Sequence, residues 1–456
     1  MRRLVFQSVA VSALLTLTAH AAVRPRYGGT LRVEMRAAVQ SLVPGGSEPG
    51  STAQDRLSAL LFEPLVTLDQ NAQPRGALAF SWQHTPDYRL WQFWLRPAKF
   101  HDGSPIAAAH VIASLTSANP RAAWRVRSEG ESVVFESANP LPNLVLELAQ
   151  QKNAIVLKQA TGEVLGSGPF RISDWQAGKR ATLVGNEEYW NGRPFLDSVE
   201  ITLDRPLREQ MIDFELGRAD VIEVAVDQVR RAAQHRVVTS APIELFAIVF
   251  SADRRAAQDA KLREALAMSL DRKAIHEVLL QRQGEPSAGL LPQWISGYAF
   301  LFPSQQNLER ARQLRNEART NSLVLNYDFA DPLARSIAER VALNAREAGI
   351  TVQPVSENLS ARATGDARLV RFRLASPEAA SALAAFPLPA GVEVPASASA
   401  EEAFRAEKTA VESFTAIPVA TIPEAYGLSP RVRNWNQPRM GGWPLLWGEV
   451  WVEKID

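Results

Sequence analysis

The sequence predicts an α/β protein built as more than one lobe, with a mixed α+β insertion. Three observations carry this expectation. The chain has 456 residues, too many for one small core. From Leu323 to Val355 a strand pattern, a capped helix pattern and a second strand pattern succeed one another at βαβ spacing. From Gly166 to Ile201, by contrast, strand patterns follow one another through turn residues, which reads as a β-rich platform.

Composition removes several classes. With 46% hydrophobic and 22% charged residues the chain is an ordinary globular sequence, and a formal net charge of +1 gives no field toward nucleic acid or anionic membrane. Nucleic acid is therefore not an expected partner. There are no cysteines, so neither a disulfide nor a lipid-modified cysteine can form. Met1, Arg2 and Arg3, the apolar run Leu4 to Leu17 and the small-x-small Ala19-His20-Ala21 read as an export signal removed after Ala21. The expected mature protein is a free, monomeric periplasmic protein, not embedded in a membrane.

In chain order, Tyr27 to Val33 reads as a turn and strand, and Ala53 to Phe62 as a helix with Leu57, Leu60 and Leu61 on one face. Leu90 to Leu95 alternates as a strand, and Ile106 to Leu115 is helical after the His101-Asp102-Gly103 turn. Trp124 to Phe135 is a short hairpin, with a helix around Leu144 and Leu148 after it. Phe170 to Trp175 and Ala181 to Val184 form a hairpin about Gly178, and Leu196 to Leu203 alternates again. Tyr189 and Trp190 read as core aromatics against that hairpin. Arg208 to Gly217 is a helix, Asp227 to Ala233 a shorter one, and Ile243 to Phe250 an apolar strand. Asp259 to Leu270 is helical, with Asp271 capping a further turn. Leu308 to Ala318 is the next helix. Asp331 and Pro332 start another that Gly349 stops, and Ser399 with Glu402 makes a capping box for Ala400 to Phe414. Ile417 to Ile422 is a strand, and a Trp-rich end containing Trp435, Trp443, Trp447 and Trp451 closes the fold.

No enzyme signature is present. The sequence lacks a Gly-x-Ser-x-Gly elbow and a phosphate loop, and His276-Glu277 fails as a zinc-protease motif because Leu280 stands where the second histidine belongs. His101-Asp102 is sequence adjacency in a turn, where Asp102 is expected to hold nearby amides. No cofactor or metal is implied.

Several motifs coincide with one family. GSGPF at 166–170, a spaced Trp175, and N..YW.G.P.LD.V.I over 186–201 stand with LRPAKFHDGSP from Leu95 and DAKLREALAMSLDRKAI from Asp259. This set resembles the extracytoplasmic solute-binding proteins of the peptide/nickel class of ABC importers. The resemblance implies a periplasmic-binding-protein type II fold, two lobes joined by two crossover strands, with an extra small lobe. It implies a signal at residues 1–21, a main lobe over 22–65, 165–243 and 418–456, an inserted lobe over 66–164 and a distal lobe over 244–417. It also implies a non-enzymatic receptor that captures a peptide or similar small solute by hinge closure and delivers it to a membrane permease and ATPase. A sensor or chaperone of the same fold and, behind it, a secreted hydrolase are the competing readings.

By the same resemblance Met35, Arg36 and Trp294 are ligand-binding candidates. Where peptide-binding relatives carry an acidic loop, this chain has Leu369 to Pro377, with Arg371 and Arg373 alternating on one strand face. Facing the cleft, those arginines would prefer a carboxylate, a phosphate or another anion. Facing solvent, they would say nothing about the ligand.

Overall fold

The computed structural model describes residues 24–44, 52–69, 72–159, 162–296, 302–358, 364–374, 376, 378–388, 392, 394, 398–436 and 447–453. The segment read as an export signal, residues 1–21, and Trp443 lie outside the described residues, as does most of the stretch from 389 to 397. One mixed sheet runs through both lobes. Its strand order is 170–176, 180–185, 198–202, 30–34, 221–223, 416–428, 236–250, 367–373, 322–328 and 351–357. The fold is the mixed α/β architecture expected, with its lobes joined by the long strands Arg236–Phe250 and Ala416–Leu428.

These two crossover strands are longer than their apolar segments suggest. They pair antiparallel from Arg236 opposite Leu428 to Val249 opposite Ala416, with register shifts around Pro242 and after Phe246. Pro242 faces Pro423. A proline removes a ladder donor and is tolerated at such irregularities, so Pro242 and Pro423, just outside the strands expected from sequence, sit inside the observed ones. The predicted helix at Asp227 to Ala233 is two 3₁₀ turns, Val226–Gln228 and Arg231–Gln234.

On the distal side, strand Ser322–Asp328, helix Pro332–Glu347 and strand Thr351–Glu357 form the expected parallel βαβ unit. Asp331 caps the helix through Leu333 and Ala334, and Gly349 ends it in the left-handed region at φ +78°. Apolar clusters cover both faces of this part of the sheet, one around Leu266, Ile337 and Val341 and another around Leu290, Leu383 and Ala410. Helix Ala400–Glu412 begins with the capping box of Ser399 and Glu402. The inserted segment is a four-stranded antiparallel sheet, ordered 79–84, 90–95, 132–137 and 124–129. Helix Ala108–Ala118 packs on it through Val111 and Leu115 against Phe93 and Phe135. Asp102 accepts from Ser104 N at 2.9 Å, as a turn residue should.

GSGPF has a direct physical reason. Gly166 and Gly168 pass over the C-terminal carbonyls of helix Thr52–Leu61, and Gly168 N donates to Leu61 O at 2.8 Å. A Cβ on Gly166 would lie 1.9 Å from Leu61 O, so no side chain fits. The neighbouring Ser167 Oγ donates to buried Glu63 at 2.9 Å, and the same carboxyl accepts from Tyr189 Oη at 2.7 Å and Trp190 Nε1 at 3.0 Å. The two aromatics are half-buried against the edge of the core and satisfy a buried carboxyl with their polar tips. Arg96 stacks on the far face of the Trp190 ring, 3.6 Å from its centroid.

Burial pushes the Glu63 carboxyl from its usual 4.5 up to about 7, against the three donors, which favour the anion. Between those pH values the folded state binds more protons than the unfolded chain, so stability falls as pH rises from about 4.5 to about 7. The expected outcome is a melting temperature lower at pH 8 than at pH 5, with the difference reduced in Glu63→Gln by a contribution of up to about 3 kcal/mol. Glu34, also pushed to about 7 by burial and by Asp213, keeps part of the slope in that variant. Gly166→Ala is expected to lower the urea midpoint by a loss of roughly 2 kcal/mol or more, because its contact is with backbone that cannot yield without moving the helix end.

Candidate ligand cleft

Where the crossover strands leave the main lobe they line a cavity of about 300 Å³. Each wall comes from a different part of the chain. Arg36 follows the strand Thr30–Glu34; Glu223 ends the strand Val221–Glu223, and Asp227 lies just after it. Glu244 comes from the first crossover strand, Glu424 and Tyr426 from the return strand, Asp331 from the helix cap and Arg371 from the strand Ala367–Arg373. Of the charged lining residues, two are arginines and five are carboxylates.

Both strand arginines turn toward this region, and protein carboxylates already hold them. Arg371 Nε donates to Glu244 Oε2 at 2.8 Å and Nη1 to Asp331 Oδ2 at 3.0 Å. Burial opposes its charge, but Glu244 and Asp331 more than offset that and raise its pKa above the usual arginine value. Asp331 serves twice, since its Oδ1 accepts from Leu333 N at 3.0 Å while Oδ2 holds the arginine. Arg373 lies 3.5 Å from Glu424 Oε1. Burial and the nearby Arg56 pull its pKa down despite Glu424, and its Nε and Nη2 are buried without a hydrogen-bond partner. Arg56, from helix Thr52–Leu61, donates to the second oxygen of Glu424 and to Tyr426 Oη. Burial works against the Glu424 charge, and the two guanidiniums overcome it and hold the carboxyl below its usual range.

The candidate residues thus separate. Arg36 and Arg371 line the cavity. Arg36 is exposed, and its backbone N–H donates to Glu223 Oε2 at 2.6 Å. Met35 is not among the lining residues; it is 3% exposed and packs in the main-lobe core. The strand alternation that buries Leu31 and Val33 buries Met35 too. Trp294 also lies off the lining, half-buried, with Nε1 donating to Pro242 O at 3.0 Å and so bracing the first crossover at its bend. Arg373 lies behind the lining. An open preference for an anionic ligand does not follow from Arg371, because an incoming anion would have to displace Glu244 or Asp331.

Sequence reasoning missed the acids. Glu244 and Glu424 are single carboxylates inside otherwise apolar strands, which is a legible signal, since a buried charge needs a partner. Asp331 was legible only as a cap. Glu223 and Asp227 carried no signal beyond their place after a strand. Glu223 receives Arg36 N and, at 3.5 Å, Gln210 Nε2 on one oxygen, and Asp227 receives Gln228 Nε2 at 3.3 Å. Neither carboxylate is in a salt bridge among the described residues, so both can accept a cation. The lining contains no histidine, and among the described residues no group of three His, Asp or Glu could hold a metal. No described helix is long and apolar enough to cross a membrane.

Comparison with known proteins agrees with this architecture. Residues 73–373 match the model of bacterial extracellular solute-binding proteins, family 5. A probable D,D-dipeptide-binding periplasmic protein of Escherichia coli is 24% identical over 309 residues, 61% of this chain and 60% of that protein. The nickel-binding periplasmic protein of the same organism is 23% identical over 66% of this chain and 67% of its own length. Among solved structures, NikA from Staphylococcus aureus in complex with Ni(L-His)2 superposes with a TM-score of 0.80 at 19% identity, over 93% of this chain and all of that one. The oligopeptide-binding protein AppA from Bacillus subtilis, in complex with a nonapeptide, gives 0.78 at 17% identity over 94% and 100%. Proteins of the matched family are non-enzymatic receptors. With well over half of its length inside the family model, this chain belongs to the bacterial extracellular solute-binding proteins of family 5.

Proposed function

We propose that this protein is the periplasmic receptor of an ABC-type importer, capturing a small solute between two lobes and presenting it to a membrane permease and its ATPase. The observation that carries the reading is the cavity of about 300 Å³ at the root of the crossover strands, walled from both sides by charged groups. In this reading the lobes are 22–65, 165–243 and 418–456 for the main lobe, 66–164 for the inserted one and 244–417 for the distal one. Closure is favoured by the contacts a ligand gains only when the walls approach. Reversing a 99:1 preference for the open form requires about 5.5 kcal/mol of differential binding.

The ligand carries a cationic group, such as the ammonium of a peptide or amino-acid derivative. Glu223 and Asp227 receive that group, Arg36 contacts the remainder, and Arg371 and Arg373 set the shape of the wall through their internal carboxylates. Met35 and Trp294 act behind the surface, by packing and by bracing Pro242.

Native mass spectrometry of protein purified without refolding tests the reading, with a co-purified small cationic solute as the expected result. Supplying that solute at about 100 times its Kd should raise stability by about 2.7 kcal/mol in a thermal melt and reduce the radius of gyration in small-angle scattering. Glu223→Gln should weaken binding by ~10-fold or more, the loss of one charge-assisted contact. Turnover of ester or peptide panels would favour a hydrolase. Apo protein that no peptide, sugar or metal chelate stabilises would favour a sensor or chaperone.

A further inference from the structure

A second cavity, of about 170 Å³, lies in the distal lobe and reaches the return crossover strand at Pro418. Pro418 lines it, while Pro423 on the same strand lines the cleft, so the two sites stand roughly 17 Å apart at ~3.4 Å per residue. Its walls are mainly apolar, with Met268, Phe302, Val411, Phe414 and Ile417 contributing. The volume is close to that of an apolar cavity of ~150 Å³ known to admit a benzene-sized molecule.

One lining group does not belong in an apolar cavity. Arg272 is only 5% exposed. Its Nε donates to Pro418 O at 2.9 Å, and its Nη1 reaches Ala267 O and Ser304 O, each at 3.4 Å. Nη2 donates to no described residue, and no described carboxylate pairs with the guanidinium. Burial alone pulls its pKa from 12.5 down to about 10, so it is still charged at neutral pH. Arg371 on the cleft wall, and Arg56 and Arg373 behind it, each have a carboxylate beside them. A second buried arginine, Arg263, holds Ser413 O at 3.0 Å behind the lining, with Asp259 nearby. The acid on the lining, Glu412, is exposed and lies 3.9 Å from Lys408. A purely architectural role accounts for the three carbonyl contacts of Arg272. It does not account for a guanidinium with no carboxylate on the lining of an apolar void, since a buried charge without a counter-ion is costly.

We propose that this cavity is a second binding site, which takes a small organic anion with its carboxylate on Arg272 and a short aliphatic or aromatic body among Phe302, Val411, Phe414 and Ile417. Benzoate is the probe, titrated by calorimetry into the full mature chain, with benzamide as its neutral counterpart. Saturable submillimolar binding of benzoate is expected, with benzamide weaker by ~10-fold or more because it cannot form the charge-assisted pair. Ala288→Leu, which fills the cavity without touching the guanidinium, should abolish the benzoate signal, and Arg272→Lys should weaken it. Arg36→Gln, which removes the exposed guanidinium of the cleft, should leave it unchanged. The proposal is overturned if benzoate gives no saturable signal at millimolar concentration, if benzamide binds equally well, if folded Ala288→Leu protein still binds, or if Arg36→Gln abolishes binding and so assigns it to the cleft. The benzamide and Arg36→Gln comparisons decide the matter even where a cavity variant fails to fold.

Discussion

Glu424 sits between Arg56 and Arg373, and the cleft depends on that contact. The three residues come from the helix Thr52–Leu61, the return crossover strand and the distal strand Ala367–Arg373, so one buried carboxylate ties three separately folded pieces. Desolvating such groups is expensive, and taking one charge out of a buried pair typically costs 3–5 kcal/mol because its partners are left uncompensated. Two guanidiniums lean on this one acid, which makes it harder to replace than either of them. Glu244 and Asp331 repeat the arrangement around Arg371. Arg371 and Arg373 are thereby spent on architecture, and the charged groups left on the cleft surface are Arg36, Glu223 and Asp227.

Much of the scaffold was legible from residues alone because its signals are local. Asp271, Asp331 and Ser399 cap the helices they were expected to cap, each through backbone amides two or three residues ahead. The glycines of GSGPF were legible as punctuation, but their reason was not, since the carbonyl of Leu61 that excludes a Cβ lies more than 100 positions earlier in the chain. The crossover strands were read too short for a related cause. Proline ends most strands when judged locally, and only pairing with a distant strand shows that Pro242 and Pro423 sit inside one.

The cleft was less legible than the scaffold. Arg36 and Arg371 do line it, whereas Met35 could have been placed in the core from the alternation of Leu31 and Val33. Arg371 and Arg373 stood out in the sequence, yet what they imply depends on which acids face them, and those acids lie between 40 and 127 positions away for Arg371. No spacing rule within a strand carries that information. The solitary acids inside apolar strands were the nearest hint of where the arginines find their partners.

The facing prolines of the crossover strands bear on how the lobes can move. A hinge made of ordinary ladder must break amide hydrogen bonds each time it flexes, and each broken bond is an opening for water and for slippage of register. At Pro242 and Pro423 neither residue has an amide hydrogen, so bending there forfeits no bond from either one. The ring of each also fixes its own φ, which confines the bend to neighbouring torsions and keeps the swing directional. Compliance at such a joint would come from missing donors and not from glycine looseness, which suits the lobe closure proposed above.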